Sequence, residues 1–257
     1  MKIAKYDTDL TDAQRAYLQP MLPKLSKRGR PPKGRRRIID AILYLVKCGC
    51  PWRYLPVDFP KWKTVYHVFR QWIANDQWAV IHDPLRVLVR RSHDKRSRPT
   101  AAILDSQSVK SAGHGGTVGY DVAKQIKGRK RHLLVDTLGL VLGVAVTPAN
   151  ITERARGQWL LARVLGWFTW LRILWVDGGY SGEAFAQWVK GRRPKLDVKV
   201  VKRSGVTKGF KVLPRRWVVA RTFGWLMHHR RLVRDYETTE SSAEPWIHIA
   251  MFHQMPK

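Results

Sequence analysis

Apolar positions recur with a helical period through the first ninety residues, and as short strand-like runs after residue 100. RRRIIDAILYLVKCG (35–49) is apolar almost all round, which predicts the buried helix of its unit. In KWKTVYHVFRQWI (61–73), Trp62, Val65, Phe69, Trp72 and Ile73 share one helical face. PLRVLVRR (84–91) is a further helix before the polar linker SHDKRSRPT, and Thr11 with Gln14 in TDAQ fits a capping box on a short first helix that Pro20 stops.

The later runs predict a different architecture. AAILDSQSV is a short strand carrying Asp105 at its polar end, and KRHLLVDTLGLVLGVAVT (130–147) is two strands joined by a turn at 136–139, which Asp136 serves. TERARGQWLLARVLGWF (152–168) is a helix capped by Thr152. RILWVDGGYSG (172–182) is a buried strand ending at Asp177, and SGEAFAQWVKG a helix capped by Ser181. LDVKVVKRS (196–204) is a strand, and PRRWVVARTFGWLMHHRR (214–231) the C-terminal helix, opened by Pro214. The order β-β-β-α-β-α-β-α predicts an α/β domain over 98–257 with a mixed sheet and flanking helices, preceded by an all-helical domain over 1–95. On the last helix Arg216, Ala220, Gly224 and Met227 share a face. Two of them have almost no side chain, so this face either meets something closely or lacks something.

Charge narrows the partner. The 257 residues hold 48 Lys and Arg against 19 Asp and Glu, a formal net charge of +29, which predicts a polyanion partner and double-stranded DNA first. No apolar run approaches the ~20 residues that span a bilayer, and the N-terminal stretch MKIAKYDTDLTD is acidic where a signal peptide is apolar. A cytoplasmic, nucleoid-associated protein without a membrane partner is expected. Cys48 and Cys50 lack a second ligand pair and read as two reduced, buried thiols.

The basic residues cluster. KRGRPPKGRRR (27–37) has seven Lys or Arg in eleven residues. Its prolines and glycines keep it extended, so Arg28 and Arg30 either enter a minor groove or, with Lys33, Arg35 and Arg36, touch phosphates only. The glycine-rich loop SAGHGGTVGYD (111–121) is expected along DNA beside Lys127, Arg129, Lys130 and Arg131. His132, His228 and His229 read as surface or phosphate-facing residues, and Trp52 as core or base-stacking. A strand-end cap explains Asp105 alone, and a turn before Gly178 and Gly179 explains Asp177 alone. Together, two carboxylates at the ends of two buried strands predict a Mg²⁺ or Mn²⁺ site, because hard oxygens neutralised by a cation are the economical way to bring them together.

At this point the motifs resemble a family. GCPWRYLP, ILDSQSVK, VGYDVAKQIKGRKRHLLVDTLGLVLGVAVT, WVDGGYSG and KGFKVLPRRWVVARTFGWLMHHRRLVRDYE are similar to DDE transposases of bacterial insertion sequences, in the insertion-sequence-five type group related to Harbinger transposases. The resemblance runs from about residue 6 to 252. It implies a ribonuclease H-like catalytic domain, two Mg²⁺ ions in the active form, binding of terminal inverted repeats, strand cleavage and transfer to target DNA, and action as a homodimer on DNA. It makes Asp105 and Asp177 the first two metal ligands. The third, a glutamate four residues after an arginine, falls on Ala220, so cleavage is expected to be impaired; a regulator that occupies the element's ends without cutting is the alternative. Arg216 and Arg221 are then expected to contact DNA backbone. Of other acids, Glu237 lies ~25 Å further along a continuous helix, Glu240 and Glu244 lie further still, and Glu183 is explained by its place in a helix's first turn.

Overall fold

Thr11 opens the first helix as its capping box predicts: its Oγ1 accepts from the Gln14 N–H at 3.2 Å, and its own N–H donates to the Gln14 side chain at 2.9 Å. The computed structural model describes residues 6–23, 34–112, 116–201 and 215–254. The chain divides into two units, one of Met1–Val89, Leu226–Val233 and Pro245–Lys257, the other of Arg90–Trp225 and Arg234–Glu244. No helix among the described residues is long and apolar enough to cross a membrane.

The first unit is helical. α1 (Asp12–Leu18) is followed by α2 (Arg35–Cys48), whose Ile38, Ile42 and Leu45 are buried and which ends at Gly49 in the left-handed region, φ 71°. Asp40 is buried in α2; it accepts from the Leu10 N–H at 3.0 Å and pairs with Arg37, while burial pushes its carboxyl up. α3 (Trp62–Ala74) buries Val65, Phe69 and Trp72 and leaves Trp62 half-exposed. α4 (Gln77–Ser92) begins seven residues before the predicted 84–91 helix and carries Pro84 inside it. Trp52 belongs to the core here, packing against Phe69 and Trp246 with ring centroids 5.1 and 5.7 Å away. Cys48 is exposed and Cys50 half-buried, both free thiols, which corrects the expectation that both are buried.

The second unit is built on a sheet of β1 (Ala101–Lys110), β2 (Gly119–Asp121), β3 (Ile126–Asp136), β4 (Val141–Pro148), β5 (Ile173–Val176) and β6 (Asp197–Val200). Its order is β4-β3-β1-β5-β6, with β2 beside β4 on the same edge of β3. Pairing is antiparallel from β4 to β1 and parallel from β1 to β6. This is the ribonuclease H-like arrangement, and the predicted strand order holds with β2 as an addition. Asp136 serves the β3–β4 turn as predicted, accepting from the Leu138 and Leu140 N–H groups at 2.9 and 3.0 Å, with Gly139 at φ 83°. It also pairs with Arg90.

α5 (Glu153–Val164) lies on β3 and β4, capped by Thr152 as expected. Gly157 lets α5 come close to the turn after β5, since a Cβ there would stand 2.5 Å from Cε1 of Tyr180. α6 (Glu183–Arg192) is capped by Gly182, not by Ser181, which instead closes the 3-10 turn at Gly178–Tyr180. The helix predicted over 214–231 is not continuous: α7 (Arg216–Met227) ends before His228 and His229, and the short α8 (Arg230–Val233) follows, while Pro214 lies outside the described residues. A further helix, α9 (Glu240–Gln254), was not expected; its Trp246 stacks on Phe69 with centroids 4.6 Å apart.

Candidate active site

The parallel pairing of β1 with β5 sets Leu104 beside Val176, so Asp105 and Asp177 come side by side. Asp177 follows the end of β5, but β1 runs on to Lys110, which corrects the expectation that Asp105 ends its strand. Asp105 is 8% exposed and accepts from the Ser106 N–H at 2.7 Å. Asp177 accepts from the Gly179 N–H at 2.9 Å, which fixes the turn after β5. From the first residue of α7, Arg216 reaches both carboxylates: Nη2 is 3.1 Å from Asp177 Oδ2 and Nε 3.6 Å from Asp105 Oδ2. Burial pushes the Asp105 carboxyl up to about 6; Arg216 opposes the shift, while Asp177 and Glu153 add to it. Asp177 is also raised, by burial first and Glu153 next, against Arg216.

Glu153 is the site residue that the sequence did not single out. It is the first residue of α5, where a carboxylate is explained by the helix dipole, and that ordinary role hides a second one. Its Oε1 accepts from Ser106 Oγ at 2.6 Å and lies 3.5 Å from Lys124 Nζ. A Cβ at Gly179 would stand 2.0 Å from its Oε2, so Glu153 occupies the space over the turn that follows Asp177. Nearby lies Tyr180, fully buried, with a hydroxyl that has no hydrogen-bond partner among the described residues. Burial raises its pKa well above the usual value, and Glu153, Asp105 and Asp177 each add to the rise.

The face of α7 is more open than its small residues imply. Ala220 and Gly224 are exposed, and a Cβ at Gly224 would meet nothing within 4 Å among the described residues. The expected close approach is made by Arg216 alone. Among the described residues no group of three or more His, Cys, Asp or Glu is placed to hold a metal ion. The donor chemistry nevertheless suits a hard divalent cation. Asp105 and Asp177 offer carboxylate oxygens, and burial raises Asp105 by more than Arg216 offsets.

The expected DNA contacts separate into two groups. Arg28, Arg30 and Lys33 lie outside the described residues. Arg35 is partly exposed at the start of α2, and Lys127 is exposed on β3. The others are engaged within the fold. Arg36 pairs with Asp12 and donates to the Leu10 carbonyl. Arg129 is 1% exposed, pairs with Asp235 at 3.0 Å and donates to the Thr117, Glu237 and Thr238 carbonyls. Lys130 pairs with Asp121 at 3.4 Å, and buried Arg131, lowered to about 10 by burial, is opposed in that shift by Asp235. Arg221 donates to the Leu138 carbonyl at 2.9 Å and stacks on Trp217 and Trp225 at 4.6 and 4.7 Å. Arg129, Lys130 and Arg131 are therefore interior groups, because β3 is covered and acids elsewhere in the chain neutralise them. His132 is likewise buried rather than at the surface; its Nε2 is 3.1 Å from Thr147 Oγ1, and burial lowers its pKa to about 3. His229 is buried and His228 exposed.

Residues 96–255 match the family model "Transposase DDE domain", and residues 10–82 match "Putative transposase of IS4/5 family". The chain is 30% identical over 116 residues to the "Insertion element IS402 uncharacterized 16.2 kDa protein" of Burkholderia cepacia, covering 44% of this chain and 78% of that protein. The structure titled "Mos1 transposase paired-end complex with left transposon end" is 14% identical at a TM-score of 0.26. The match covers 68% of this chain and 61% of that one, less than two thirds of its length.

Proposed function

Because this chain belongs to the DDE-domain transposases of insertion sequences, we propose that it binds the terminal inverted repeats of its own element and acts on their phosphodiesters through Asp105 and Asp177. The observation that carries this reading is the placement of buried Asp105 on β1 beside half-buried Asp177 just after the parallel strand β5, with Arg216 reaching both. Mg²⁺ or Mn²⁺, when bound, supplies Lewis acidity for an in-line phosphoryl displacement, and two ions serve the active form. Asp105 and Asp177 hold the cation, and the Ser106 and Gly179 N–H groups keep the two carboxylates oriented.

Position 220 carries alanine where the family pattern places a glutamate, so cleavage is impaired and a second ion is loosely held. The helical region over 1–95, with the arm at 27–37, recognises the ends; the domain over 98–257 carries the site. The +29 charge supports duplex DNA as partner, for both element ends and target. Two copies on DNA, in the bacterial nucleoid, are the working assembly. A second reading, a DNA-bound regulator that does not cut, is favoured by Arg216, which gives the aspartates a cation of their own.

Gel shifts on an end-containing duplex between ~50 and ~200 mM salt test the binding. Log affinity should fall with log salt by about 0.9 per phosphate neutralised, and an affinity indifferent to salt refutes the proposal. Residual Mn²⁺-dependent nicking that Asp105→Asn removes separates the enzyme from the regulator.

A further inference from the structure

We propose that Glu153 is a third carboxylate of the divalent-ion site, supplied by the start of α5 and present whatever residue stands at position 220. The inference rests on the reading that Asp105 and Asp177 hold the ion. Glu153 is tied to both strand ends. Its Oε1 is bonded to Ser106, the residue after the first aspartate, and its Oε2 lies over Gly179, two residues after the second. Each constraint comes from a different element, and the side chain is only 19% exposed.

A structural role alone does not explain the placement. A helix-start glutamate gains its dipole interaction while pointing into water, and the pair with a 41% exposed Lys124 is worth at most about 1 kcal/mol. Against these stands a cost, since Glu153 brings a third carboxylate beside Asp105 and Asp177, held there by Ser106 and over Gly179. A further cation removes that cost.

The second, independent observation is Tyr180. Its hydroxyl is fully buried near the three acids and bonds to nothing among the described residues. Buried hydroxyls without a partner are uncommon, and an oxygen brought in with a bound ion would satisfy this one. Arg216 stands between the aspartates, and no three acids are set around one point among the described residues. Arg216 is 35% exposed, so its side chain can turn into solvent as an ion enters.

Calorimetric titration of Mn²⁺ into the full chain without DNA tests the inference. Glu153→Gln and Asp105→Asn should each weaken binding at least tenfold. Glu183→Gln, a change at the first turn of α6 where Glu183 bonds only Gln187, should leave it unchanged. Melting in EDTA should be no lower for the Glu153→Gln variant than for the unaltered chain. If Asp105→Asn weakens binding and Glu153→Gln does not, Glu153 is excluded while the two-aspartate site stands. If neither change matters, or the unaltered chain binds no Mn²⁺, the reading beneath it falls as well. Should the glutamine variant not fold, Glu153→Asp is titrated instead: it keeps the charge but withdraws it by one methylene, a threefold loss is expected, and unchanged affinity overturns the proposal.

Discussion

Nη2 of Arg216 lies 3.1 Å from Oδ2 of Asp177, and the same guanidinium places Nε 3.6 Å from Asp105. One positive charge thus serves two carboxylates, at the place where a divalent ion would bind. Guanidinium and ion compete for the same oxygens, so Arg216→Gln should tighten Mn²⁺ binding by about tenfold, ~1.4 kcal/mol, and lower the melting temperature in EDTA. Calorimetry on the variant decides it; an affinity no tighter than that of the unaltered chain means the arginine does not compete.

Asp105 makes stability depend on pH in an unusual direction. Its carboxyl is raised from 3.8 to about 6 in the folded protein. Between these values the native state keeps a proton that the unfolded chain has released, so this group's contribution falls as pH rises through the window. The full loss, ~3 kcal/mol at most, is present above pH 6 and absent below about 3.8. Asp105→Asn should therefore raise the urea midpoint at pH 7.5 and change it little near pH 4. A variant that is less stable at pH 7.5 contradicts the assignment.

Arg129 and Asp235 form an interior pair, 1% and 4% exposed at their side chains. Asp235→Ala leaves the guanidinium with carbonyl partners only, and removing one member of such a pair typically costs about 3–5 kcal/mol. Urea unfolding should show a loss of about 3 kcal/mol, recovered in large part by adding Arg129→Met. A loss under ~1 kcal/mol would mean that the carbonyls alone hold the charge.

That pair also shows where a local pattern stops being informative. The run GRKRH on β3 has the composition of a phosphate-binding surface, and only the fold reveals that Asp235, 106 residues from Arg129, neutralises it. Asp105 and Asp177 stood out because each follows an apolar run, and it was the two together, rather than either alone, that suggested a site, although β1 continues past Asp105. Glu153 was not, because a glutamate at a capped helix start already has one. α9 escaped notice because Pro245 and its opening serines break the pattern, although Trp246 and Ile249 are buried. The open face at Ala220 and Gly224 shows that small residues on a helix signal a missing side chain as readily as a close neighbour.

Ala220 lies one turn beyond Arg216 on α7, so a glutamate there projects from the same face as the arginine that already reaches the two aspartates. Residues four apart on a helix interact, so such a glutamate would also draw the guanidinium off the aspartates. Both effects favour a second ion beside the one proposed at Asp105 and Asp177. Restoring a preorganised charged group at a phosphoryl-transfer site commonly changes the rate by ~10²–10³. Ala220→Glu is therefore expected to raise Mn²⁺-dependent nicking of an end-containing duplex by about a hundredfold or more. Ala220→Gln, equal in size but uncharged, should not, and adding Asp105→Asn to the glutamate variant should abolish the gain. The exposed position means that neither change at 220 should cost stability, so melting curves separate a catalytic effect from a folding one. Nicking by the unaltered chain at a rate that Ala220→Glu does not increase would show that position 220 is not where the missing acid belongs.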